Sequence, residues 1–368
     1  MNILILNWRD TKNPKSGGAE VVTLEHAKAW ARKGHKVFWF TSSFKDCKKN
    51  EIIDGVNIIR KGNFLTVFLH APFFYFFSSI KFDLVVDEIH GIPFFTPLYV
   101  RKPKIAFIHE VADEIWDYMF PFPLNRIGKF IEPIYFKLYR KVKFWTDANS
   151  TIDDLVKKGI NRKKCVAINC PIGNKTLSAL PKKENKPTFI FVSRVVKMKG
   201  IEDVIRAFFY ILRDLKDANL WIVGDGEKKY VDELKETMHS FSIASKVKFF
   251  GFVSNDKKLE LMRKAHILLH ASIKEGWGLV VVEAASQGTP SVVYNVAGLR
   301  DSVKNKETGI VLSENSSKEM AEQALKLLKD KRKYKSFQKN SLAWSKSLTW
   351  EKATEKSLRL IEEVVKNG

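Results

Sequence analysis

Two glutamates, Glu275 and Glu283, bracket the stretch EGWGLVVVE, where the residue types and spacing are best suited to chemistry. Gly276 and Gly278 let the backbone come close to a ligand. A helix opening at Gly278 would turn free N–H groups and its positive dipole end toward an anion such as phosphate. Glu283 then falls within an otherwise apolar helix, where a buried charge needs a partner. Ribose hydroxyls would serve, and so would an ordinary salt bridge. Glu275, ahead of the helix, would reach the group beyond the phosphates. Two carboxylates of a glycosidase are conceivable here, but phosphate-type glycines between them fit that chemistry less well.

Three other turns carry weaker signals. SRVVKMKG, residues 193–200, places Arg194 and Lys199 on a loop that closes into a helix. A forked guanidinium and a point-charge ammonium suit a diphosphate, although basic loop residues are commonly just solvated. SGGAE, residues 16–20, sets Gly17 and Gly18 at a helix start, as an anion-binding turn or a plain glycine turn; the third glycine of a dinucleotide fingerprint is absent. GDG, residues 224–226, reads as a tight turn. His109 ends the apolar run KIAFIH, a place where a histidine is ordinarily a satisfied structural residue.

These turns need strands and helices to hold them. Short β-branched and aromatic runs at 2–7, 36–41, 56–60, 83–87, 104–109 and 144–148 alternate with amphipathic stretches, as in βαβ units. Residues 173–187, glycine- and proline-marked and charged, read as a linker. The alternation restarts after it, with strands at 188–193, 219–224, 246–252, 266–272 and 291–295. The reading is α/β: two Rossmann-like doubly wound parallel sheets facing a cleft, residues 1–172 and 188–349, with ligands at the strands' carboxyl ends. Residues 350–368 form a terminal helix.

Composition narrows the function classes. With 63 Lys and Arg against 41 Asp and Glu the net charge is +22, and the excess is spread over both halves. That argues against a dedicated nucleic-acid domain and leaves either lysine-rich solvated faces or a surface drawn to phosphates or anionic lipid. Three scattered cysteines make neither a disulfide framework nor a zinc site, and a cytoplasmic location is expected. Residues 62–80 are uncharged and aromatic. They could be a buried segment, a surface that dips into a membrane interface or, least well given Pro72 and His70, a span.

In order along the chain, SGGAE, GHKV, SRVVKMKG, VGDG, FFGFVSNDKKLELM, EGWGLVVVEAASQGTP and GLRDSVKNKETGIVL resemble the retaining glycosyltransferases of family 4, which have the GT-B architecture. The resemblance covers nearly the whole chain. It implies that Arg194 and Lys199 hold the leaving nucleotide diphosphate, helped by backbone amides at Gly276, Gly278 and Leu279. It further implies that Glu275 lies near the transferred sugar, that Glu283 binds ribose and that Val253 lines the base pocket. Gly17 and Gly18 would approach the donor from the other domain, His109 would contact the sugar, and the last helix would cross back to the first domain. A nucleotide sugar is then the co-substrate, with no cofactor and no metal expected; the positive charge and the aromatic residues 64–82 separately suggest a glycan or lipid-linked acceptor, with the protein peripheral at the inner membrane face. Departures from the family pattern are His270, Trp277 and Asp301, where small apolar, phenylalanine and glutamate residues are usual. The rival readings are an epimerase or phosphorylase of the same architecture, and a non-enzymatic anion or nucleic-acid binder.

Overall fold

The structure is a computed structural model that describes residues 1–173 and 176–368; Asn174 and Lys175 of the expected linker lie outside the described residues. The chain divides into two compact units, Met1–Cys170 with Trp350–Gly368, and Pro171–Thr349.

The first unit holds eight strands: β1 (Asn2–Leu6), β2 (Lys36–Thr41), β3 (Asn50–Ile53), β4 (Val56–Arg60), β5 (Leu84–Ile89), β6 (Lys104–Ile108), β7 (Lys143–Thr146) and β8 (Cys165–Ala167). Their order is β3-β4-β2-β1-β5-β6-β7-β8. Only β3, paired with β4, runs antiparallel. Every residue of β5 is buried, as a central parallel strand covered on both faces requires. Its alternation puts Asp87 and Glu88 on opposite faces. Asp87 is held by neutral donors, Tyr139 Oη at 2.5 Å and Thr96 Oγ1 at 2.7 Å, and burial pushes its pKa up. The helix Trp350–Asn367 packs on this unit: Trp30 Nε1 donates to Ser357 Oγ at 3.0 Å, and His26 Nδ1 lies 2.8 Å from the same oxygen.

The second unit holds β9 (Thr188–Val192), β10 (Asn219–Val223), β11 (Val247–Gly251), β12 (Ile267–His270), β13 (Ser291–Val293) and β14 (Gly309–Val311), in the order β11-β10-β9-β12-β13-β14 and all parallel. Residues read as linker are fastened to this unit rather than free. Leu177 N donates to Ser286 O, Glu184 N to Lys264 O, and Lys183 Nζ to Thr289 Oγ1 at 2.7 Å. Proline and charge broke the periodicity there, while backbone bonds to existing elements supplied the order.

Residues 62–80 resolve into a helix, Val67–Phe77, of 11 residues with Pro72 inside. No helix among the described residues is long and apolar enough to cross a membrane. Val67 and Ala71 are buried, whereas Leu69, Phe73, Phe76 and Phe77 are exposed, Phe77 to 81%. The exposed side borders an open groove of about 840 Å³ that also takes in Lys61, Thr66 and His70. A second apolar exposure, which the sequence reading did not single out, lies on the amphipathic helix Leu124–Leu138, with Ile127, Phe130, Ile131 and Ile134 outward.

Candidate active site

The second unit's chemistry gathers at the carboxyl ends of β9 and β12. Arg194 follows β9 on a turn pressed against the GDG turn. A Cβ at Gly224 would fall 1.8 Å from Ser193 O, and one at Gly226 would fall 2.2 Å from Val195 O. Val195 N donates to Asp225 O at 2.8 Å. The GDG glycines therefore serve close backbone contact, which fixes the Arg194 loop, instead of cradling phosphate themselves. Gly200 plays a similar part behind Lys199: its φ is +68°, and a Cβ there would sit 1.9 Å from Ala271 O.

Arg194 is exposed, and its guanidinium makes no hydrogen bond or ion pair among the described residues. Lys199 Nζ, in contrast, lies 2.6 Å from Glu275 Oε1. Two more groups reach that oxygen, Ser272 Oγ at 2.7 Å and His270 Nε2 at 3.1 Å. Burial raises the pKa of Glu275, but Lys199 and His270 outweigh it and hold the carboxyl well below the usual range. The departure His270 thus has a role that the sequence reading left open, because the contact forms only once β12 ends beside the Glu275 loop. That loop is clamped from behind: a Cβ at Gly298 would meet Glu275 O at 2.3 Å. Gly278, at φ +85°, then starts the helix Leu279–Ser286, and Gly276 lies half-buried just before it. An ammonium has three donors, so Lys199 can keep Glu275 and still offer one to a ligand.

Glu283 lies within that helix, and its partner is on the chain itself: Lys258 Nζ at 2.7 Å from Oε1. Of the two partners the sequence left open for Glu283, ribose hydroxyls and a salt bridge, the salt bridge is present in the chain itself. Val253 packs half-buried against the core of this unit, and beside it Phe252 is 86% exposed after β11, an aromatic face that sequence reading missed.

In the first unit the SGGAE turn is already occupied. Gly17 N donates to Glu20 Oε2 at 2.6 Å, and Arg9 Nε donates to Glu20 Oε1 at 2.8 Å. The helix start thus carries its own anion, a bond that a ligand approaching the Gly17 amide meets first. The Gly17-to-Glu20 spacing is that of a capping box, so the signal was present in the sequence. Gly18 is the first residue of that helix.

His109 follows β6 and is buried between two carboxylates, Asp147 at Nδ1 and Glu88 at Nε2, the latter at 3.2 Å. Burial disfavours its charged form, but Asp147 and Glu88 outweigh that and raise its basicity well above the ordinary value. Glu88 also receives Thr23 Oγ1 at 2.9 Å and lies 2.9 Å from His90 Nε2. The fold thereby gathers an acid and two histidines that the sequence reading did not combine, because adjacency of β5 and β6 is a tertiary fact.

Comparison with known proteins bears on this arrangement. One family model, described as Glycosyltransferase Family 4, matches residues 16–173, and a second, Glycosyl transferases group 1, matches residues 174–344. The chain belongs to glycosyltransferase family 4. A 148-residue stretch is 33% identical to N-acetyl-alpha-D-glucosaminyl L-malate synthase of Bacillus anthracis, covering 40% of this chain and 37% of that one. The matched stretches span between a third and a half of the curated relatives' lengths. Sucrose-phosphate synthase from Thermosynechococcus elongatus superimposes with a TM-score of 0.79 at 15% identity over 100% of both chains. Anabaena Alr3699/HepE, solved with UDP-glucose, gives 0.74 at 18% identity over 99% of this chain and 100% of that one. At such identities the structural likeness establishes the fold, which is GT-B.

Proposed function

We propose that this family-4 glycosyltransferase transfers a hexosyl group from a nucleotide diphosphate sugar to a hydroxyl, with retention of anomeric configuration. The observation that carries the reading is Arg194, an exposed and unpartnered cation on a rigid turn, followed closely by Lys199 and its contact with Glu275. The relatives lend support: one solved neighbour is described with UDP-glucose, and a Mycobacterium tuberculosis relative is described as GDP-mannose-dependent.

In this reading Arg194, Lys199 and the amides at Gly278 and Leu279 stabilise the charge that builds on the diphosphate as the bond from the anomeric carbon to phosphate oxygen breaks. The acceptor oxygen bonds to that carbon on the same face, and its proton passes to the departing phosphate. No side chain acts as nucleophile. Glu275, fixed by three donors, orients toward the sugar. Glu283, steadied by Lys258, takes the ribose, and Val253 with Phe252 borders the base. His109 serves the sugar from the first unit. Thermal-shift screening against UDP-, GDP- and ADP-sugars identifies the donor, because a ligand bound only to the native state raises the melting temperature. With that donor, Arg194→Ala and Lys199→Ala each lower transfer by about 10²-fold or more with unchanged melting temperature. Near-normal turnover in both variants removes the assignment, and donor consumption without acceptor product points to an epimerase.

We also propose a lipid-linked or membrane-proximal acceptor, supported by the net charge of +22 and by the exposed Leu69, Phe73 and Phe77 beside Lys61. Exposed aromatic side chains enter the headgroup boundary while lysines meet anionic lipid. The protein should sediment with vesicles containing phosphatidylglycerol, and a Phe73→Ser, Phe77→Ser double variant should do so less. Absence of sedimentation with both anionic and neutral vesicles refutes this part.

A further inference from the structure

In the second unit, β12 runs directly into the loop that carries Glu275. His270 is the last residue of β12, Ser272 comes two residues later, and both are fully buried. Their polar atoms converge on one point. His270 Nε2 lies 3.1 Å and Ser272 Oγ 2.7 Å from Glu275 Oε1, the oxygen that Lys199 Nζ meets at 2.6 Å. A carboxylate oxygen only accepts, so the imidazole carries its hydrogen on Nε2, while Nδ1 is buried without a partner among the described residues. All three donors sit on Oε1, and Oε2 keeps its lone pairs for a ligand.

We propose that His270 and Ser272 are positioning residues for the transfer: they hold Glu275 Oε1 throughout the reaction and leave Oε2 to accept a hydrogen bond from a hydroxyl of the donor sugar. The inference rests on the reading of Glu275 as the group beside the sugar.

The division of labour follows from what else each donor must do. In that reading Lys199 shares its donors between Glu275 and the diphosphate. As negative charge builds on the phosphate oxygens, the ammonium is drawn toward them. A carboxylate tied to Lys199 alone would follow that shift at the step where its placing counts, and a displacement of about 1 Å can cost about 10²-fold in rate. His270 and Ser272 have no second duty, being neutral donors shut away from solvent. The direction of the His270 donor is set by packing, since its ring stacks on that of Phe191 at a centroid distance of 5.9 Å. Phe191 belongs to β9, the strand paired with β12, so the anchor stands on the sheet and not on a loop. The backbone around the carboxylate is fixed as well: Ile273 N donates to Met198 O at 3.0 Å, and Glu275 N to Ala297 O at 3.3 Å.

The test uses the full chain and the UDP-, GDP- or ADP-sugar that the thermal-shift screen selects. Turnover is read as nucleotide release, and the free nucleoside diphosphate is the sugarless probe for calorimetry. His270→Leu fills the space without a donor. It should lower kcat by about tenfold or more and leave affinity for the free nucleotide within about twofold, because that ligand makes no sugar contact. Ser272→Ala should act in the same direction. His270→Gln, whose amide nitrogen can stand where Nε2 does, should recover most of the loss, a rescue that a space-filling role does not give. Circular dichroism melts check folding, and Ser272→Ala, which deletes a single oxygen atom, decides the matter if His270→Leu fails to fold. Unchanged kcat in the folded variants overturns the inference. So does an equal loss in His270→Leu and His270→Gln, or a loss of free-nucleotide affinity as large as the loss of kcat. Glu275→Ala separates this inference from the reading beneath it. If Glu275→Ala is crippled while the His270 and Ser272 variants turn over normally, the positioning role alone falls. Near-normal turnover of Glu275→Ala removes the sugar role of Glu275 and the positioning role with it.

Discussion

The two units present the same kind of structure, loops at the carboxyl ends of parallel strands, and furnish it in opposite ways. In the first, the buried charges beside β5 and β6 are paired: Glu20 takes the Gly17 amide and Arg9, while Glu88 takes Thr23, His90 and His109, and His109 takes Asp147. In the second, Arg194 stands exposed without a partner, and the start of the helix Leu279–Ser286 follows a left-handed glycine. One end is compensated from within and rich in carboxylate, and the other holds uncompensated positive charge. The sheet topology alone does not decide where an anion goes, because the side chains at the strand ends determine whether the backbone amides and cations remain available.

Nucleotide affinity separates the two ends most sharply. With the donor's nucleoside diphosphate as ligand, Arg194→Ala should weaken binding by about 10–100-fold, the loss expected for one charge-assisted contact to phosphate. Arg9→Ala should leave that affinity within about threefold and lower the melting temperature, since it strips a buried carboxylate of its cation. Calorimetric titration of both variants checks this. Equal losses of nucleotide affinity would erase the contrast.

The contrast extends to stability. Arg60 in the first unit is fully buried and grips Asp10 with two hydrogen bonds, at 2.7 and 2.9 Å, and Glu51 with a third at 2.6 Å. Arg60→Met leaves the buried Asp10 without its cation and should cost about 3–5 kcal/mol in urea unfolding. In the second unit, Lys258 and Glu283 are partly reached by water. Lys258→Ala should cost about 1 kcal/mol, in keeping with a screened pair. A cost for Lys258→Ala as large as that of Arg60→Met would show that the second unit is as tightly compensated as the first.

What the sequence disclosed follows the same division. Long β-branched runs such as LVVDEI and TFIFV announce central strands because both faces are buried. The strands β3, β8 and β14, of four, three and three residues, are too short to show a period and exist by pairing with a neighbour. At the site, local patterns were readable: the Arg194 turn, the glycine before Leu279, and Gly17 three residues ahead of Glu20. Contacts made by packing and loop shape were not. Lys258 with Glu283 and His90 with His109 depend on which elements lie side by side, and His270 with Glu275, five residues apart, depends on the path of the loop after β12, none of which periodicity encodes. The linker misled in the opposite direction, since proline and charge signal irregular backbone and say nothing about whether that backbone is bonded.

The smallest expected effect concerns the join between the helix Gly18–Arg32 and the helix Trp350–Asn367. Ser357 Oγ donates to Thr354 O and receives Trp30 Nε1, so His26 Nδ1 is the donor to it, and His26 Nε2 is buried with no hydrogen-bond partner among the described residues to receive a second proton. The ring packs edge-on against Trp145 and Trp350, at centroid distances of 4.6 and 5.6 Å. Burial depresses the His26 pKa from 6.5 to about 3, against the opposite pull of Asp147. The unfolded chain therefore takes up a proton below about pH 6.5 that the native chain refuses, and stability falls as pH drops toward 3. By pH 5.5 the loss from this one group is about 1 kcal/mol. Other groups titrate on the acid side as well, among them His35 and His266, which burial also depresses. The measurement is therefore a difference. His26→Phe keeps an aromatic ring against Trp145 and Trp350 and removes the titration, so urea unfolding between pH 7 and pH 5.5, followed by tryptophan fluorescence, should show a shallower decline than in the wild type. Parallel declines in the two proteins would mean that His26 accepts a proton in place, and that this buried join in the first unit is looser than its charge-compensated strand ends.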